Sequence, residues 1–135
     1  MREENIRHLL ENWQTDGTDE NYMRCALALA KMGAAAGEVP VGAVLVKDGV
    51  ILCGDYNGRE ETGDATYHAE LSVIRQGNRI LGGWRLTGCT VYVTLEPCPC
   101  VPGGSGMPDC PGWYTAPRMP GRGPWDRYST STATR

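Results

Sequence analysis

The sequence predicts an α/β fold, a mixed sheet with helices packed on it. Three features point to it. A β-branched run, Val39 to Val46, is followed by Asp48-Gly49 and a second run, Val50 to Gly54, the pattern of a tight hairpin. Apolar residues at helical spacing stand on both sides of that hairpin. A third strand-prone run, Thr90 to Leu95, follows the second of these helices, and alternation of helices with strands favours a sheet covered by helices.

In chain order, Ile6, Leu9, Leu10 and Trp13 recur at i, i+3, i+4 and i+7 and suggest a short amphipathic helix; a frayed leader fits the same residues. Gly17 to Asp19 break the chain and cap a helix over 20–36, with Met23, Ala26, Leu27 and Ala30 on one face and Gly37 at its end. After the hairpin, Asn57 to Thr66 reads as a polar loop and His68 to Gln76 as the next helix. Arg85 to Gly88 lead into the third strand, and Glu96-Pro-Cys-Pro-Cys follows it. No internal repeat is visible.

The chain changes character near Pro99. Residues 1–99 hold 15 of the 27 Gly and Pro, and the last 36 positions hold 12, with Val101 their only Ile, Leu or Val. Nothing there supplies the apolar periodicity of a core helix or strand by that measure. Residues 1–99 carry a net −5 and the tail +2. The organisation expected is an N-terminal extension, 1–19, a core, 20–99, and an atypical Gly/Pro-rich tail, 100–135.

At 135 residues the chain has the size of one domain, and 41% hydrophobic with 21% charged residues is a globular composition. A net charge of −3 argues against a strongly basic nucleic-acid or membrane-surface protein, though not against a local basic groove. No apolar run approaches the ~18 residues of a membrane span, and the polar, acidic start is no secretory signal. Six cysteines without such a signal point to a reducing, cytoplasmic setting, where thiols bind metal or pack.

His68-Ala69-Glu70 opens the second core helix. Both side chains can project past the first turn, so a metal on His68 would have Glu70 near its bound water without ligation by that carboxylate. Zn²⁺ takes imidazole and thiolate ligands, and a catalytic site leaves one position for water. The metal makes that water nucleophilic, and a nearby carboxylate moves its proton. Cys98 and Cys100 would supply thiolates just after the third strand. Taken singly, His68 also fits a helix-start side chain with a structural hydrogen bond, and Cys98 a packed thiol. His-x-Glu followed by Pro-Cys-x-x-Cys is a signature of zinc nucleobase deaminases.

On these residues the chain resembles the cytidine/deoxycytidylate deaminase superfamily, most closely its tRNA-specific adenosine deaminases. The matching segments are MRCALALAKMGAAAGEVPVGAVLV (23–46), Tyr56 to Gly58, YHAEL (67–71) and WRLTGCTVYVTLEPCP (84–99). The resemblance implies a cytidine-deaminase-like three-layer α/β/α fold with a mixed central sheet, truncated here after the third strand. It implies zinc-dependent hydrolysis of adenosine to inosine at the wobble position of tRNA. His68 and Cys98 would be metal ligands and Glu70 the catalytic proton shuttle. Asn57 is suggested as a substrate contact, with a turn residue as the alternative. The partner implied is a tRNA anticodon loop, and intact members would be homodimers; no membrane is involved.

The resemblance breaks after Pro99. The family's third ligand falls at Val101, which cannot ligate zinc, and Cys100 is one residue early. On a helix, i+3 lies about 60° around from i and i+2 about 160°, so Cys100 points away from Cys98 unless the turn deforms. A shifted reading frame over 100–135 would account for this, with a natural divergent tail as the alternative and Cys110 as a further stand-in ligand without supporting spacing. Met107-Pro108 and Met119-Pro120 then force alanine, Trp113-Tyr114 forces valine, and Trp125-Asp126 forces glycine. Cys100-Val101 yields the missing cysteine in i+3 register, with one base lost near the Pro99 codon. The third strand would keep an open edge. Losing so much core is severe against a stability of ~5–15 kcal/mol, so weak zinc binding and little activity are expected. A deaminase of free cytidine, deoxycytidylate or guanine, a non-catalytic zinc or RNA-binding module, and an inactive remnant are the other readings.

Overall fold

The computed structural model describes residues 2–94 and the backbone of strand residues 112–115. Its elements run α1 (Arg2–Glu11), α2 (Asp19–Ala35), β1 (Gly42–Lys47), β2 (Val50–Tyr56), α3 (Arg59–Thr62), α4 (Ala69–Leu81), β3 (Cys89–Val93) and β4 (Gly112–Thr115). The expected helices and strands are present, and α4 runs past its expected end at Gln76 to Leu81.

Helix α2 starts where the breaker signals place it. The Thr18 hydroxyl accepts the Asn21 N–H at 3.1 Å, and Thr18 itself is held by Asp16. Asp19 and Glu20 in the first turn suit the positive end of the helix dipole. The hairpin turn is sharp because Asp48 and Gly49 both adopt positive φ, 51° and 77°, as a two-residue connection with right-handed strand twist requires.

The sheet order is β2-β1-β3-β4, with β1 antiparallel to β2 and β3, and β3 parallel to β4. A bulge between Leu45 and Val46 shifts the β1–β2 register. Strand β1 is central, so both of its faces are covered and its residues are almost continuously apolar. Ala43 and Leu45 pack with Val73 of α4 and Val91 of β3. Val44 and Val46 face the other way, onto Met23, Ala26 and Leu29 of α2. Ile6 brings α1 into that second layer. The result is helices on both faces of a mixed sheet, as the sequence predicts.

Three differences from expectation have physical causes. Val39 to Val41 precede β1 rather than open it, and Val39 stands 51% exposed. The polar loop after β2 contains a helical turn, α3, whose Glu60 and Glu61 N–H groups donate to the buried carboxylate of Glu38 at 3.0 and 2.8 Å. The edge of β3 is paired by β4, a correction to the open edge expected there. That expectation counted Ile, Leu and Val, whereas Trp113, Tyr114 and Thr115 are themselves strand-prone. Cys98, Cys100 and Val101 lie outside the described residues. No helix among the described residues is long and apolar enough to cross a membrane.

Candidate active site

The end of β2 and the start of α4 meet at one edge of the sheet. Asn57, directly after β2, donates its N–H to Val41 O at 3.1 Å, which pins it beside the entry to β1. Its side-chain Oδ1 accepts the Ala69 N–H at 2.8 Å. Asn57 therefore caps α4 from a distance, satisfying one of the orphan donors of a helix N-terminus. With Oδ1 engaged, Nδ2 is the part of this amide left to serve as a donor.

That cap has a consequence for His68. His68 is the N-cap residue by backbone, with extended φ and ψ of −91° and 144°, yet its side chain makes no capping hydrogen bond. The imidazole is thus not consumed by the helix end. Its backbone is fixed on both sides, the N–H donating to Thr66 O at 2.8 Å and the carbonyl accepting from Ser72 N–H at 3.0 Å. Glu70, in the first turn of α4, is 3% exposed, and its Oε1 lies 4.0 Å from His68 Nδ1. The structure places His68, Glu70 and Asn57 side by side at the start of α4.

The sequence reading missed a buried polar cluster behind this edge. Asp55, 3% exposed on β2, accepts the Tyr67 hydroxyl at 2.9 Å and the Ser72 hydroxyl on Oδ2. Its Oδ1 accepts from Tyr56 N–H and is paired with Arg2 of α1, each at 2.8 Å. Burial and then the Asp55 charge push the Tyr67 phenol up, so it remains a donor. Burial works against the Arg2 charge, but the charges of Asp55 and Tyr67 and the hydrogen bonds to Asp55 and Glu61 together outweigh it and raise the Arg2 pKa. An aspartate inside a strand runs against strand preference, a local signal for Asp55; Arg2 has none.

The donor chemistry fits zinc as far as it is described: a partly exposed imidazole free of capping duty, with a buried carboxylate 4.0 Å away. Cys25, Cys53 and Cys89 are free thiols buried in the core. Burial pushes Cys25 and Cys53 up to about 12, which keeps both protonated and unsuited to ligation. No group of three or more His, Cys, Asp and Glu side chains that could hold a metal occurs among the described residues. Topology indicates where further ligands would enter. Because β2 and β3 both run antiparallel to β1, they end at the same edge of the sheet. Thr94, just past β3, exchanges hydrogen bonds with Gly42, its N–H to Gly42 O and Gly42 N–H to its hydroxyl, both at 3.1 Å. The chain leaves β3 at the edge where Asn57 is pinned to Val41.

The family model for the cytidine and deoxycytidylate deaminase zinc-binding region matches residues 16–110. The chain is 55% identical over 85 residues to the chloroplastic tRNA(adenine(34)) deaminase of Arabidopsis thaliana, covering 63% of this chain and 6% of that protein. It is 49% identical over 85 residues to the tRNA-specific adenosine deaminase of Bacillus subtilis, covering 63% of this chain and 53% of that one. Among solved structures, one from studies of A-to-I editing by tRNA:A34 deaminases aligns with a TM-score of 0.57 and 45% identity, over 59% of this chain and 58% of that chain. The guanine deaminase of Bacillus subtilis aligns with a TM-score of 0.59 and 40% identity, over 61% and 53%. The chain spans about half the length of the bacterial relative it matches.

Proposed function

The chain belongs to the cytidine and deoxycytidylate deaminase family, defined by its zinc-binding region, and on that footing we propose that its core is built to convert adenosine to inosine at the wobble position of tRNA. The observation that carries the proposal is the pairing of His68 with Glu70 at the N-terminus of α4, with Asn57 relieving the imidazole of capping. The printed activity of the Arabidopsis and Bacillus relatives supports the substrate.

His68 and Cys98 would hold the zinc, with Cys100 the remaining candidate in this chain. A zinc ion there supplies a water activated as a nucleophile near neutral pH. Glu70 takes the proton released as oxygen bonds to C6 of the adenine and delivers it to the departing amino group. Water is consumed, ammonia leaves and inosine remains. Asn57 Nδ2 would donate to the substrate. The target base must be flipped or splayed to enter, which suits an anticodon loop. A homodimer in the intact form and a cytoplasmic setting belong to the same proposal; the free thiols of Cys25, Cys53 and Cys89 fit the latter.

Residues 100–135 are out of frame in this proposal, which accounts for Val101 at the third-ligand position and predicts little activity for the chain as it stands. The test has two parts. Nucleotide sequence at the Pro99 codon should show an open adjacent frame. With that frame restored, the chain should form inosine in a tRNA anticodon stem-loop and leave free guanine, cytidine and deoxycytidylate unchanged. Stops within a few codons of the adjacent frame would refute the frame shift. Turnover of free guanine instead of the stem-loop would favour a second reading, deamination of a free base, which the guanine deaminase alignment supports.

A further inference from the structure

We propose that Arg2 is a positioning residue and α1 a clasp that holds the loop carrying His68 and Glu70. The chemistry being positioned rests on the deaminase reading; the clasp itself does not. The family match begins at residue 16, so α1 precedes the matched region. Ile6 seats α1 in the core beside α2 and β1. From its first turn, Arg2 reaches residues more than fifty positions away.

The guanidinium pairs with Asp55 Oδ1 and with Glu61 Oε2, each at 2.8 Å. It donates to the backbone carbonyls of Tyr56 and Asn57, the latter at 3.4 Å. It also lies over the rings of Tyr56 and Tyr67, 3.8 and 4.8 Å from their centroids. Asp55 is the second node. Its Oδ2 accepts from Tyr67, the residue before His68, and from Ser72, whose N–H donates to the His68 carbonyl. Asn57, held by Arg2 through its carbonyl, caps Ala69 with its side chain. Residues on both sides of His68 and Glu70 are thereby tied to two charged groups, one of them on α1.

Removing the guanidinium leaves the buried Asp55 carboxylate without its cation. The carboxylate must then turn to water for compensation, and the Tyr67 and Ser72 hydroxyls lose their fixed acceptor. Such a loss falls on residues 57–72 first. A general packing role would instead loosen the whole domain.

The test is amide hydrogen exchange on the full chain, with Arg2→Gln, Arg2→Lys and Asp55→Asn variants. Arg2→Gln should speed exchange at the Ala69 and Ser72 N–H groups by about tenfold or more, with Leu29 and Val91 unchanged, the pattern of a local opening. Arg2→Lys keeps the charge and should recover part of the protection. The His68 ring resonances should broaden in Arg2→Gln and sharpen again in Arg2→Lys. If Arg2→Gln does not fold, Asp55→Asn, which keeps the shape and removes the charge, should give the same local pattern. Uniform acceleration across the domain, no acceleration, or Arg2→Lys no better than Arg2→Gln would overturn the proposal. None of these readings needs zinc or turnover, so the clasp and the deaminase reading fail separately.

Discussion

A glutamine at position 70 would keep the size of the side chain and lose its capacity to carry a proton. In the frame-restored chain, Glu70→Gln should therefore lower inosine formation by about 10²–10⁴-fold, the usual range for a general acid–base group, in a single-turnover assay. Unchanged turnover would remove Glu70 from the chemistry. Asn57 makes a different prediction because its acceptor oxygen caps α4. Asn57→Ala should cost about 1 kcal/mol of stability, the usual value of such a cap, and Asn57→Asp, which keeps an acceptor, should cost less. Denaturant midpoints measure the difference. At this scale legibility followed sequence separation. His68 and Glu70 are two apart and carry a recognisable spacing, whereas Arg2 and Asp55 meet only after α1 has docked against β2.

Packing between elements depends on two glycines with unlike neighbours. At Gly42, where α2 crosses β1, a Cβ would overlap the backbone of α2, at Ala26 O and, 2.6 Å away, Ala30 N. Helix backbone cannot yield there without moving α2, so Gly42→Ala should destabilise by about 3 kcal/mol, the upper end of the overpacking range. At Gly77 of α4 the overlap is with Leu45 Cδ2, the end of a flexible side chain, and alanine recovers about 1 kcal/mol of helix propensity. Gly77→Ala should cost clearly less than Gly42→Ala in thermal unfolding; equal losses would contradict this account of the α2–β1 contact. The long elements were legible because apolar period and turn residues agree, as at Asp48-Gly49. Helix α3 was not, since its four residues have no apolar pattern and its stabilising carboxylate, Glu38, comes from outside it.

For the whole molecule, the buried thiols set an upper limit on pH. Cys25 and Cys53 hold their protons to about 12, above the ordinary cysteine value near 9. Below that ordinary value both states of the chain are protonated there and stability is unaffected. As pH rises from 9 toward 12 the unfolded chain loses these protons and the folded chain does not, so stability falls. Unfolding midpoints at pH 8 and pH 10.5 should show the decline, and a flat profile would contradict the burial of these thiols. The core on both faces of β1 was readable from pattern alone. The sheet beyond β3 was not, because β4 draws on Trp113 and Tyr114 in a segment without aliphatic periodicity. The valine forced at that position in the other frame is also strand-prone.

Metal content of the frame-restored chain, measured by elemental analysis beside its His68→Ala and Glu70→Gln variants, bears most directly on the account. One zinc per chain, kept in Glu70→Gln and lost in His68→Ala, is the predicted result. No zinc in the parent chain, or zinc lost with Glu70 and kept without His68, would contradict it.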